Sequence, residues 1–151
     1  MYLDRISRQA WLPLGAALIF TISAGGLYSS IATGIATAAD IKVTLAGDQE
    51  VPPVKSAGAG SGTITVGDDK SVSGSVTTTG IAGTAAHIHE AAAGKNGPVI
   101  IPFTKTRDTY AAPAGAKLTD EQFVSFKAGN LYVNVHTAAN PGGEIRGQLK
   151  P

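Results

Sequence analysis

Cysteine is absent from this sequence. That excludes a disulfide framework, a thiol nucleophile and lipid attachment through an N-terminal cysteine. Histidine occurs three times, tryptophan once and methionine once. The serine nucleophile elbow GxSxG does not occur. Glu50, Glu90 and Glu144 supply carboxylates, but no spacing sets two of them across a cleft as glycosidic hydrolysis requires. The glycines in "GSG" and "GKNGP" open no helix, so they read as turn residues and not as phosphate loops.

Charge is also scarce after the first forty residues. Arg5 and Arg8 precede the uncharged run Trp11 to Tyr28, and small residues ending in Ala36-Thr37-Ala38 follow. This order is that of a secretory leader with an A-x-A cleavage box. It predicts a leader over 1–38 and a mature domain over 39–151 starting at Ala39 or Asp40, secreted or periplasmic. An uncleaved anchor is the competing reading, and the only membrane contact expected, because the run approaches the ~20 residues of a bilayer span. With Asp4, Arg5 and Arg8 gone, ten basic and ten acidic residues remain. A neutral domain has no electrostatic footprint for nucleic acid.

What the mature chain does have is short stretches of period-2 alternation. "IKVTLAG" places Ile41, Val43 and Leu45 on one face, and "DQEVPPV" ends it because Pro52 and Pro53 lack amide donors. A hairpin is expected with arms near 62–66 and 71–79 around "GDDK". "TAAHIHE" reads as a strand, "AAAGKNGP" as a loop, and "VIIPF" as a strand interrupted at Pro102. In "LTDEQFVSFKAGN", Thr119 and Gln122 form a capping box, Leu118 and Phe123 a hydrophobic staple, and Gly129 or Asn130 a stop, which predicts a helix over about 120–128. "LYVNVHT" and "EIRGQLK" around "ANPGG" make a final hairpin. Together these predict an all-β protein: an antiparallel Greek-key-like sandwich or flattened barrel of about seven to eight strands with one short helix.

Strand parity then sorts the polar residues. His87 and His89 share one face of their strand. With Leu131, Val133, Val135, Ile145 and Leu149 in the core, the opposite face carries Tyr132, Asn134, His136, Glu144, Arg146 and Gln148. His136 is expected opposite or diagonal to Glu144 or Arg146. Two imidazoles at i, i+2 on a strand aim at one point, and a third would complete a His₃ set for copper, zinc or nickel. Glu90, Asn134 and Glu144 are available to fix the ring tautomers, with Asn96 a further polar candidate. The same histidines also suit a hydrogen-bonded staple without metal, and strand order decides whether His136 joins the pair.

The stretches "AGDQEVPPV", "AHIHEAAAGKNGPVI", "LTDEQFVSFKAGNLYVNVHT" and "NPGGEIRGQL" together resemble the CHRD domain, named from chordin and found singly in many exported bacterial proteins. The resemblance runs from about Ile41 to Leu149. It implies an extracytoplasmic β-sandwich or barrel without a defined activity, and its signature polar positions are His87, His89, Asn96, Gly97, Asn134, His136, Glu144 and Arg146. "AAHIHE" is also similar to the copper-binding "HVHE" strand of copper/zinc superoxide dismutases. That family's zinc loop and disulfide cysteines are missing here, which argues against a bimetallic dismutase but leaves a single three-histidine copper site. The expected function is an exported binding module, ahead of an enzyme, holding one metal ion, copper favoured over zinc, through His87, His89 and His136. A metal-free structural or adhesive module that contacts an extracellular protein or glycan is the alternative, and weak copper-dependent superoxide handling is a third.

Overall fold

The computed structural model describes residues 37–151, so all but the last two residues of the expected leader lie outside the described residues. The first strand, β1 (Ala38–Ala46), buries Ile41, Val43 and Leu45 and leaves Lys42 and Thr44 in solvent. A single 3-10 turn over Gly47–Gln49 follows. The hairpin of β2 (Ala59–Gly67) and β3 (Val72–Thr79) closes where expected. Asp69 accepts from the Ser71 amide and hydroxyl, and Lys70 takes the left-handed conformation with φ 68°. Next come β4 (Gly83–Glu90) and β5 (Val99–Pro102), strands where the "HIH" and "VIIP" stretches suggest them, and the two pair with each other.

Two further strands, β6 (Thr104–Thr106) and β7 (Thr109–Ala111), form a small hairpin absent from the sequence reading. At three residues each they are too short to display alternation. The helix α1 (Asp120–Lys127) has the expected reciprocal capping box between Thr119 and Gln122, and Gly129 at φ 73° follows its end. The chain finishes with the hairpin of β8 (Leu131–Thr137) and β9 (Ile145–Leu149).

All nine strands belong to one sheet in the order β5-β4-β8-β9-β1-β2-β3-β7-β6. Every pairing is antiparallel. The ends of this order nearly meet, because β5 runs almost directly into β6 and the Phe103 amide between them donates to Ala86 of β4 at 3.0 Å. The architecture is therefore a nearly closed barrel, the second of the two expected forms, with nine strands instead of seven or eight. Its interior holds Leu45, Ile64, Val76, Ile88, Tyr110, Val133, Val135, Ile145 and Leu149, each 0 or 1 % exposed. Burying side chains of this size stabilises the fold by about 1.5–3 kcal/mol apiece. Among the described residues no helix is long and apolar enough to cross a membrane.

The strand order sets up the site. It makes β8 the common neighbour of β4 and β9, so the outward residues of "HIH", "YVNVH" and "IRGQ" share one patch of the barrel wall.

Candidate metal centre

In the β4–β8 pairing His87 stands opposite Asn134, His89 opposite Tyr132 and Ala85 opposite His136, which puts His87 and His136 on a diagonal. His87 Nδ1 and His136 Nε2 are 3.0 Å apart. One nitrogen from each of His87, His89 and His136 lies within 4.8 Å of the others, and no carboxylate belongs to this group. Strand order thus brings the third histidine to the first two.

Two rings are held by backbone carbonyls. His136 Nδ1 donates to the Pro141 carbonyl at 2.9 Å and His89 Nδ1 to the Gly97 carbonyl at 2.9 Å. A neutral imidazole has one donor and one acceptor nitrogen, so both rings present Nε2 lone pairs to the cluster. The His136 lone pair accepts from His87 Nδ1. The His89 Nε2 is buried and has no hydrogen-bond partner. Burial, reinforced by the neighbouring histidines, lowers the His87 pKa. Burial also lowers that of His89, against the Gly97 carbonyl, which favours the charged ring. Both shifts favour the neutral ring, the ligating form.

The polar face predicted by parity is present, but it is not open to solvent. Tyr132, Asn134 and Arg146 are each 2 % exposed and His89 8 %, because loops lie across them. The loop 91–98 is held down by Arg146, whose guanidinium donates to the Lys95 carbonyl at 2.7 Å and to Asn96 Oδ1 at 3.2 Å. Gln148 Nε2 also donates to the Ala91 carbonyl at 3.0 Å. Asn96 in turn donates to the Val51 carbonyl at 2.8 Å, joining this loop to the one after β1. Gly97 packs so closely on the end of β4 that a Cβ there would overlap the Glu90 carbonyl, so only glycine lets the loop deliver its carbonyl to His89.

Beneath the loops, His89 stacks on Tyr132 with ring centroids 4.8 Å apart and planes 7° from parallel. The Arg146 guanidinium carbon lies 3.4 Å from the Tyr132 ring centroid. Glu50 is 5 % exposed and forms no ion pair within 4 Å. Burial pushes its carboxyl pKa up, against the opposing pull of Arg146. Glu50 Oε1, Asn134 Oδ1 and His89 Nε2 all lack hydrogen-bond partners. A cleft of about 390 Å³ is lined by Glu50, Arg146 and Gln148 among others and by none of the three histidines.

His136 lies diagonal to Arg146, as expected, and two other expected placements differ in the structure. Glu90 has the parity of Ile88, not of the histidines, and accepts from Ser125 Oγ at 2.5 Å, tying β4 to α1. Glu144 does not reach His136 or pair with Arg146. The turn after β8 curls it back to accept from Thr137 Oγ1 at 2.8 Å and from Asn140 Nδ2. A hydrogen bond from Ser56, followed by those from Asn140 and Thr137, lowers its pKa. The ring-orienting acceptors are therefore the carbonyls of Gly97 and Pro141 and not carboxylates. The sequence reading also missed Glu50 as the acidic neighbour of Arg146. Its position just before Val51-Pro52-Pro53, in a stretch that resembles the family pattern, was the available signal.

Comparison with known proteins agrees with this architecture in one respect and is silent in others. No curated protein and no solved structure matches the chain. The family model for the CHRD domain matches residues 41–149. That span takes in β1 through β9 with every residue of the histidine cluster and its covering loops, and the chain belongs to the CHRD domain family.

Proposed function

We propose that the protein is an exported binding module whose His87, His89 and His136 hold a single metal ion, copper in preference to zinc. The observation that carries this reading is the convergence of three imidazoles, one of which, His89, keeps a buried nitrogen with no partner. Leaving such a group unsatisfied costs about 1–3 kcal/mol, which a ligand there recovers. Metal–nitrogen bonds near 2 Å need donor nitrogens about 3–4 Å apart. The 3.0 Å pair of His87 and His136 already meets this, and the other separations, at most 4.8 Å, require a small approach of the His89 ring as well as rotation of His87. The proton that His87 Nδ1 shares with His136 moves to His87 Nε2, and both facing lone pairs become donors. Imidazole sets suit copper and zinc, and copper lies above zinc in the general order of divalent affinities.

A second reading keeps the histidines as a staple. It is favoured by the direct His87–His136 hydrogen bond and the two bonds to carbonyls, which satisfy four of the six ring nitrogens without a metal. Melting separates the two. A bound ion at a hundredfold excess over its dissociation constant stabilises the native state by about 2.7 kcal/mol, and this gain disappears in His89→Ala. A melting temperature indifferent to copper, zinc and chelator supports the staple. Export rests on the leader-like residues 1–38 together with the resemblance to exported proteins, and N-terminal sequencing of the secreted protein beginning at Ala39 or Asp40 tests it. Contact with an extracellular protein or glycan, and slow superoxide removal by bound copper, remain subordinate proposals. Superoxide removal ends if copper-loaded protein is no more active than copper in buffer.

A further inference from the structure

We propose that the three-histidine centre selects a monovalent cation, cuprous copper, over the divalent zinc ion. This rests on the metal-binding reading above and adds to it the charge state that the surroundings favour.

The donors themselves do not discriminate, because neutral imidazoles accept zinc and either oxidation state of copper. The environment does. No carboxylate belongs to the cluster, so the whole charge of the ion stays in the site. Glu90 is committed to Ser125, and Glu144 to Thr137 and Asn140. The cation packed against the cluster through an aromatic ring is Arg146. Arg146 touches the Tyr132 ring on which His89 stacks, and the 4.8 Å stack plus the 3.4 Å contact place its guanidinium carbon no more than 8.2 Å from the His89 ring centroid. Arginine keeps its charge even when buried. Glu50, its acidic neighbour among the described residues, is not in contact with it within 4 Å and offsets its charge only in part.

The guanidinium and the intervening rings are buried, so this repulsion is weakly screened by solvent or salt. Coulomb repulsion scales with the charge of the ion. Near 8 Å, at an effective dielectric constant of about 20, each unit of ion charge costs roughly thirtyfold in affinity. A divalent ion bears this twice and a monovalent ion once. Asn134 lies between the opposing groups, paired with His87 across β4–β8 and with Arg146 across β8–β9. It is the position from which one negative charge would cancel the effect.

The test compares dissociation constants of the purified protein for cuprous ion, measured anaerobically against a chromophoric cuprous chelator, and for zinc. It does so in the wild type and in Asn134→Asp, with circular dichroism as a check on folding. The expectation is that the wild type binds cuprous ion about thirtyfold tighter than zinc, and that Asn134→Asp narrows the ratio by roughly tenfold. Zinc binding as tightly as cuprous ion in the wild type overturns the inference and leaves the metal site standing. A ratio unchanged in folded Asn134→Asp overturns the electrostatic cause. Binding of neither ion removes the metal site itself. If Asn134→Asp does not fold, Arg146→Gln serves, with a narrowed ratio expected and an unchanged one contrary.

Discussion

The β2–β3 hairpin and the β4–β8–β9 wall follow the same alternating pattern and have opposite fates. Both send aliphatic side chains inward: Ile64, Val66 and Val76 from one, Ile88, Val133 and Ile145 from the other. Outward, the hairpin shows Ser61, Ser73 and Thr77, which stay in solvent. The wall shows Tyr132, Asn134 and Arg146, which are buried under loops. Burying polar groups costs stability unless each is partnered, and of the four buried side-chain atoms without a partner among the described residues, three belong to Asn134, Glu50 and His89 and the fourth is the Tyr110 hydroxyl on β7. A barrel needs no such arrangement, as the hairpin demonstrates. The difference marks the wall as the part of the molecule shaped for something other than folding.

Removing Arg146 should break the comparison most severely. Arg146→Ala takes away the stacking on Tyr132 and the anchors of loop 91–98, and it leaves Glu50 buried without a countercharge. A loss of about 3–5 kcal/mol is expected in urea unfolding. Glu144→Gln should cost about 2 kcal/mol by weakening hydrogen bonds to a charged acceptor. Because the folded pKa of Glu144 lies below its ordinary value, its contribution is present above the unfolded pKa near 4.5 and is lost as pH falls through the folded one. The variant should therefore show a shallower acid dependence, read from melting temperatures between pH 5 and pH 2 as an approximate window.

The histidines sharpen the contrast at milder pH. The folded pKa values of His87 and His89 are below the ordinary 6.5. Above that value neither state gains a proton, and below it the unfolded chain takes up protons that the native rings refuse. Stability of the metal-free protein should fall by up to about 1.4 kcal/mol per pH unit for each such histidine on moving below 6.5. His87→Gln and His89→Gln should each flatten the profile, and a melting temperature independent of pH between about 7 and 5 would contradict the assignment. Smallest of all, Ser73→Ala on the exposed side of β3 should change stability by less than about 0.5 kcal/mol. A large loss there would erase the distinction between the two regions.

How much of this was legible beforehand follows from what a sequence encodes locally. Alternation in "IKVTLAG", "HIH" and "LYVNVHT" located the strands and assigned Asn134, His136 and Arg146 to the face away from the core, because side-chain period is a property of a single strand. The capping box at Thr119 was legible for the same reason. The meeting of His136 with His87 depends on β8 lying beside β4, a non-local choice that no period records. The cover over the polar face was equally hidden. It depends on where loops 91–98 and 50–54 travel, and on Asn96 and Arg146 pinning them. Glu144 was misplaced because parity was carried through a turn, where the chain reverses and parity loses its meaning.

X-ray absorption at the copper edge of the loaded protein tests the central claim most directly. The account predicts three imidazole nitrogens at about 2.0 Å, reduced to two in His89→Ala. Coordination without imidazole, or a spectrum unchanged in that variant, would contradict it.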